Sequence, residues 1–157
     1  MSEKIYFAKV KESAIIPSKR DEDGCFDIYA CIEDSITIKP HEVKLIPTGI
    51  CSAFSSDYRI SLRERGSNTK SKLIVMAGQI DSGFRGEWFV ALYNASDEKK
   101  ILTNHLEGLQ EEVSTKKAIC QAAIEYSPKV NIEEVSIDIV NSFKSERGSG
   151  MLGSSGK

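Results

Sequence analysis

CFDIYACI, residues 25–32, decides how this chain folds. Phe26, Ile28 and Ala30 alternate with Asp27, Tyr29 and Cys31. A period of two places the two sets on opposite faces of an extended strand. Similar short runs follow it: SITI (35–38), VKLIPTGI (43–50), YRISL (58–62), KLIVMA (72–77), WFVALY (88–93), AICQAAIEY (118–126) and VSIDIV (135–140). Many are rich in Ile, Val, Tyr and Phe, and turn residues separate most of them. The pattern predicts an all-β barrel or double sheet. No internal repeat is present.

Two stretches depart from it. SDEKKILTNHLEGLQEEVSTKK (96–117) is polar and charged, with Leu102, Leu106, Leu109 and Val113 at helical spacing. That spacing predicts a short amphipathic helix folded back on the barrel, weakened by Gly108, or else a partner-binding element. ERGSGMLGSSGK (146–157) holds four glycines and three serines and cannot build a core. It is expected to be a flexible tail, or one that orders on a ligand. The division predicted is a barrel domain over 1–144 with a polar insert at about 96–117, then a tail over 145–157.

A chain of 157 residues suits a single domain with a real core. A net charge of −2 gives no global pull toward nucleic acid or an anionic membrane, so any polyanion must be held by a local basic cluster. No run of 18 apolar residues occurs, and MSEKIYFAKVKES lacks a signal-peptide core, so a cytoplasmic protein is expected. Cys25, Cys31, Cys51 and Cys120 show no CxxC spacing, and His41 and His105 are the only histidines. That is poor material for a zinc site, and reduced thiols are expected.

Four segments carry chemistry. In the tail, Arg147 precedes glycines and serines whose donors could wrap a polyphosphate. GQIDSGFRGEW (78–88) lies between two strand-like runs and predicts a β-hairpin. Its Asp81 could orient a water for attack on phosphorus, or be a simple turn residue. LRERGSN (62–68) offers Arg65 and Ser67 to phosphates, or is a solvated charged loop. Asp27, between apolar neighbours, could orient a metal's hydration shell or bond within the fold.

Taken in order, GCFDIYA, RERGSN, GQIDSGFRGE, KAICQAAI and RGSGMLGSSGK resemble the five motifs of trimeric dUTPases, from about residue 24 to residue 157. PTGI (47–50) is similar to the family as well. The resemblance implies a jelly-roll barrel with a short helix and a mobile C-terminal tail. It implies a homotrimer whose active sites lie between subunits, and Mg²⁺-assisted hydrolysis of dUTP to dUMP and pyrophosphate. Such an enzyme limits uracil incorporation into DNA and supplies dUMP for dTMP synthesis. Asp81 matches the aspartate that positions the attacking water. Phe84 matches an aromatic, usually tyrosine, that packs on the deoxyribose and excludes a 2′-hydroxyl. Arg65, Gly66, Ser67 and Gln121 match phosphate-binding positions, with Gly66 an intervening residue and Ala118 in place of a family arginine. Gly78, Gln79, Ile80 and Phe89 stand where the uracil edge is read. Asp27 matches the residue linked to Mg²⁺ through water. Arg147, Gly153 and Ser154 match the tail that closes over the triphosphate.

One position departs from the resemblance. The family's tail carries a phenylalanine that stacks on the uracil, and Leu152 stands there in this chain. Either Leu152 covers the base, or an aromatic of the outgoing hairpin strand takes over, from Trp88, Phe89 and Tyr93, with the first two nearest the motif. Relocation to that strand is the expectation. A dCTP deaminase shares the fold, but Ala91 occupies the place of its required glutamate. A regulatory protein-binding role beside catalysis is the other alternative, motivated by the polar insert. No nucleic-acid or membrane partner is expected.

Overall fold

The computed structural model describes residues 4–150. Over them run β1 (Tyr6–Lys9), β2 (Cys25–Ile28), β3 (Ile36–Ile38), β4 (Val43–Pro47), β5 (Ile50–Ala53) and β6 (Tyr58–Arg63). Then come α1 (Asn68–Ser71), β7 (Leu73–Met76), β8 (Gln79–Ile80), β9 (Phe89–Asn94), β10 (Lys100–Thr103), β11 (Glu112–Ser114), β12 (Cys120–Tyr126) and α2 (Ile137–Ser142). The strands form small sheets, β1-β5, β11-β10-β3, β2-β12-β6-β8 and β4-β9-β7, packed around one core. The all-β expectation holds. Trp88, Ile28, Ile38, Ile46, Ile60, Leu92 and Leu102 are fully buried. In β2, Phe26 and Ile28 face this core while Cys25 and Asp27 stay partly exposed, which is the period-two reading of the sequence. No helix is long and apolar enough to cross a membrane among the described residues.

Three expectations are corrected. The amphipathic helix within 96–117 does not form. Leu102 lies on β10, opposite Ile36 of β3 and Val113 of the parallel β11. Between the strands, Gly108 adopts φ +90° and the Glu112 carboxylate accepts from the N–H groups of Glu107, Gly108 and Leu109. Long-range pairing and a carboxylate-capped turn override a weak helical period. VSIDIV (135–140) is not a strand either. Ser136 caps α2, its Oγ accepting from Ile139 N at 3.4 Å, and no neighbouring strand offers a ladder among the described residues. Finally, 78–88 is not a simple hairpin. β9 pairs with β7, and between them the chain crosses to the other sheet, where β8 pairs with β6. Gly78 permits this crossing: its backbone lies so close to Leu62 that an added Cβ would sit 2.5 Å from the Leu62 carbonyl oxygen.

Two surfaces are apolar yet uncovered within the chain. On β4-β9-β7 the outward residues stand in register: Val43 beside Tyr93 and Ile74, Leu45 beside Ala91 and Met76, Pro47 beside Phe89. Leu45 is 65% exposed, and Val43, Ile74, Met76 and Phe89 are also exposed. The second surface is the stretch from Pro128 to Phe143, exposed throughout, including Ile132, Ile137 and Phe143.

Candidate active site

The β2-β12-β6-β8 sheet builds the site. Its outer face is ordered by the ladder: Gln121 of β12 opposes Asp27 on one side and Arg63 on the other, and the next row runs Cys25, Ala123, Ser61, Gln79. At the β2 edge a cavity of about 910 Å³ opens, lined by Asp27, Arg65, Gly66, Ser67 and Gln121 together with Arg20, Lys116 and Lys117. The first, second and fourth sequence motifs therefore converge. Arg65 Nε pairs with Asp27 Oδ1 at 3.0 Å, and its Nη1 donates to the Ala118 carbonyl at 3.3 Å. Gln121 Nε2 donates to the Glu64 carbonyl at 2.8 Å. Cys120 lies beneath, its thiol pushed up to about 12 by burial, with Asp27 and Glu64 adding to the rise, so it is an inert core residue.

Sequence reasoning missed two contributors. Asn68 is buried and acts as a strut. Its Oδ1 accepts from Arg65 N at 3.1 Å, and its Nδ2 donates to the carbonyls of Leu73 and Ile119, each at 3.2 Å. It ties the Arg65 loop to β12 and β7. Lys116 and Lys117 add cations that pair with no carboxylate among the described residues, whereas Arg20 is committed to Asp23 and Arg65 to Asp27. The Lys-Lys pair immediately before AICQ is the signal in the sequence: it ends the polar stretch 96–117, and Lys117 opens the fourth motif.

Asp81 is elsewhere. It follows β8 on the opposite edge of the same sheet, where Gln79 Nε2 donates to its Oδ1 at 3.0 Å. Three strand spacings and four residues along the strands separate it from Asp27, roughly 20 Å on a flat sheet. Phe84 closes the turn, its N–H donating to the Asp81 carbonyl at 3.0 Å, and its half-exposed ring lies over Gly86. One chain thus offers a basic cavity at one edge and a carboxylate with an aromatic platform at the other.

Of the aromatics considered for covering a base, Trp88 is excluded. It is fully buried against Phe7, with ring centroids 5.5 Å apart at 70°, and its position is fixed by Thr48 Oγ1 donating to its carbonyl at 2.7 Å. The strand that begins at Phe89 turns the preceding residue inward. Tyr93 sits at the far end of β9 beside His41. Phe89 alone of the three is an exposed aromatic next to the Asp81 turn. Arg147 is exposed, its Nε donating to the Gly150 carbonyl at 3.0 Å. Leu152, Gly153 and Ser154 lie outside the described residues.

Among the described residues no three His, Cys, Asp or Glu side chains converge to hold a metal. The cavity's carboxylates are Glu22, Asp23 and Asp27, of which Asp27 pairs with Arg65; such a lining could reach a divalent cation carried mainly by ligand oxygens.

The dUTPase family model matches residues 11–107. The deoxyuridine 5′-triphosphate nucleotidohydrolase of Nautilia profundicola is 34% identical over 158 residues, covering 98% of this chain and 99% of the relative. That of Helicobacter pylori strain P12 is 31% identical over 157 residues, covering 98% and 97%. Among solved structures, a point variant of the Staphylococcus bacteriophage 80alpha dUTPase with dUpNHpp superposes with a TM-score of 0.79 at 20% identity, over 99% of this chain and 100% of that one. A point variant of the dUTPase from S. aureus phage phi11, described with a structural Mg(II) ion, does so at 0.68 and 17% identity, over 84% and 96%. With its motifs in order, its barrel matched end to end and its relatives aligned along nearly their whole length, this chain belongs to the dUTPase family.

Proposed function

We propose that the protein hydrolyses dUTP to dUMP and pyrophosphate in sites completed between copies of a homotrimer. The observation that carries this is the separation of Asp81 from the basic cavity. A base must come within about 3 Å of the water it activates, and that water must reach the phosphorus. A carboxylate some 20 Å from the phosphate cavity cannot serve it on a static sheet. A second copy can bring its Asp81 turn to that cavity. The apolar face of β4-β9-β7, whose strands β7 and β9 flank the Asp81 turn, supplies a surface for such an association.

In this reading Arg65, Lys116, Lys117 and Gln121 of one copy grip the triphosphate. Asp81 of another takes a proton from water as its oxygen bonds the α-phosphorus, and the bond to the bridging oxygen breaks to release pyrophosphate. Phe84 lies under the deoxyribose, where a 2′-hydroxyl would collide with its ring. Asp27 is the residue that would hold Mg²⁺ at this cavity, and the ion would supply charge neutralisation for the departing pyrophosphate. Arg147 adds its guanidinium to the grip on the phosphates. The test is pyrophosphate release from dUTP beside dCTP, dTTP and UTP. Turnover confined to dUTP is expected, and comparable turnover of UTP would overturn the role given to Phe84.

A further inference from the structure

A second cavity, of about 360 Å³, lies behind the first and shares Ser67, Lys117 and Ala118 with it. Its floor is apolar, from Leu73, Leu92 and Ile119, and its cations are Lys70, Lys100 and Lys117. Lys100 is the unusual residue. It stands opposite Ile38 in the ladder, a core-facing register, and its side chain is only 10% exposed. Burying an ammonium is costly unless a partner is close. The carboxylate of Glu98 is 3.7 Å from Lys100 Nζ, beyond hydrogen-bond reach, and itself mostly exposed. The cavity's own carboxylate, Glu112, is engaged by the backbone N–H groups of Glu107, Gly108 and Leu109, which hold it below its usual range. Three cations therefore face one committed carboxylate, Glu112, and one mostly exposed partner, Glu98, in a pocket within the size range of small-ligand sites.

We propose that this cavity is a separate anion site for a small phosphate-bearing molecule, held by Lys100 with Lys70 and Lys117. Lying against the wall of the phosphate cavity, it would serve released pyrophosphate as a station on its way out. The inference goes beyond the proposed reaction, because a mostly buried cation whose counter-ion is a loosely placed, exposed carboxylate can take an anion whatever the larger cavity does.

Calorimetric titration of the full chain with inorganic pyrophosphate tests it, with deoxyuridine monophosphate as a parallel arm. Two sites per chain are expected. Lys100→Met should remove one and Arg65→Ala the other. Lys70→Ser, an exposed substitution tolerated by the fold, should weaken the Lys100-dependent site about tenfold, as befits loss of one charge-assisted contact. Lysine-dependent binding of the monophosphate alone would assign the site to a nucleotide phosphate and still support it. If Arg65→Ala abolishes all binding while Lys100→Met and Lys70→Ser leave it unchanged, the second site does not exist. Failure of the reaction itself would show separately, as no pyrophosphate release from dUTP.

Discussion

Two crippled variants should regain activity when their chains share trimers. Asp81→Asn keeps the shape of the turn and its contact with Gln79 but loses the charge that accepts a proton. Loss of a positioned base costs on the order of 10²–10⁴-fold in turnover. Arg65→Ala empties the phosphate grip. It also breaks a pair with Asp27 whose side chains are 29% and 36% exposed, so the fold should lose no more than about 1 kcal/mol. Each variant alone should be nearly inactive. The geometry sets what their mixture does. If Asp81 and Arg65 of one chain lie roughly 20 Å apart across the sheet, each working site draws them from different copies. In a random equal mixture each contributor is intact half the time, so about one quarter of the sites are whole.

The assay is steady-state pyrophosphate release, per chain, from variants co-expressed or refolded together, against the sum of the two measured apart. About a quarter of wild-type turnover is expected. A mixture no more active than that sum would refute the reasoning, because it would mean that each chain assembles its own site and that the sheet geometry misleads. Wild-type chains carried through the same refolding control for losses in handling.

Three further outcomes are expected. Leu45→Asp sets a charge midway along β4, at the most exposed apolar residue of the outer β4-β9-β7 face, so light scattering should report single chains with an intact fold and lost turnover, and an active trimer would show that another surface holds the copies together. Gly78→Ala drives a Cβ to 2.5 Å from backbone, which should cost about 1–3 kcal/mol of stability by denaturant midpoint and also lower turnover by shifting Gln79 and Asp81; an unchanged midpoint would mean that the crossing is looser than described. Glu112 is held below the usual carboxylate range, first by the Glu107 N–H, so its contribution is full above the unfolded pKa of about 4.3 and is lost as pH falls below it; Glu112→Gln should flatten that acid slope of stability, and an unaltered slope would deny the cap its role.

The strands were legible where one face meets the core, because a two-residue period survives in the sequence. In CFDIYACI the alternation holds over CFDI, with Phe26 and Ile28 buried, but β2 ends at Ile28, and beyond it Cys31 is buried while Ala30 is only partly so. The segment 96–117 was misread because its apolar residues answer to partners far away: Leu102 to Ile36 across the sheet and Val113 alongside. Leu106 and Leu109, which completed the helical period, are exposed. VSIDIV looked like a strand by composition, yet a strand needs a ladder, and that stretch meets none among the described residues. With Ser136 placed to cap, a single helical turn satisfies the backbone locally.

The site divides along a similar line. The motif positions stand out in the sequence by residue type, a carboxylate at Asp81, a guanidinium at Arg65 and an amide at Gln121, and the fold brings the last two to one cavity. What surrounds them was not. Lys116 and Lys117 are ordinary surface lysines until β12 brings them beside Arg65, and Asn68 is an unremarkable loop residue until its amide spans two carbonyls. Trp88 shows the limit best. Adjacent in sequence to the turn that carries Asp81, it offered itself as a cover for the base, but one residue along a strand reverses the face, and it became the largest side chain of the core instead. Phe89, pointing the other way, is left exposed with Leu45 and Met76. That same alternation explains why the chain keeps an apolar sheet face uncovered. Residues that fill the barrel and residues left exposed alternate along β9, so the strand that holds the core also holds the face through which, in the proposed trimer, a second Asp81 would be delivered.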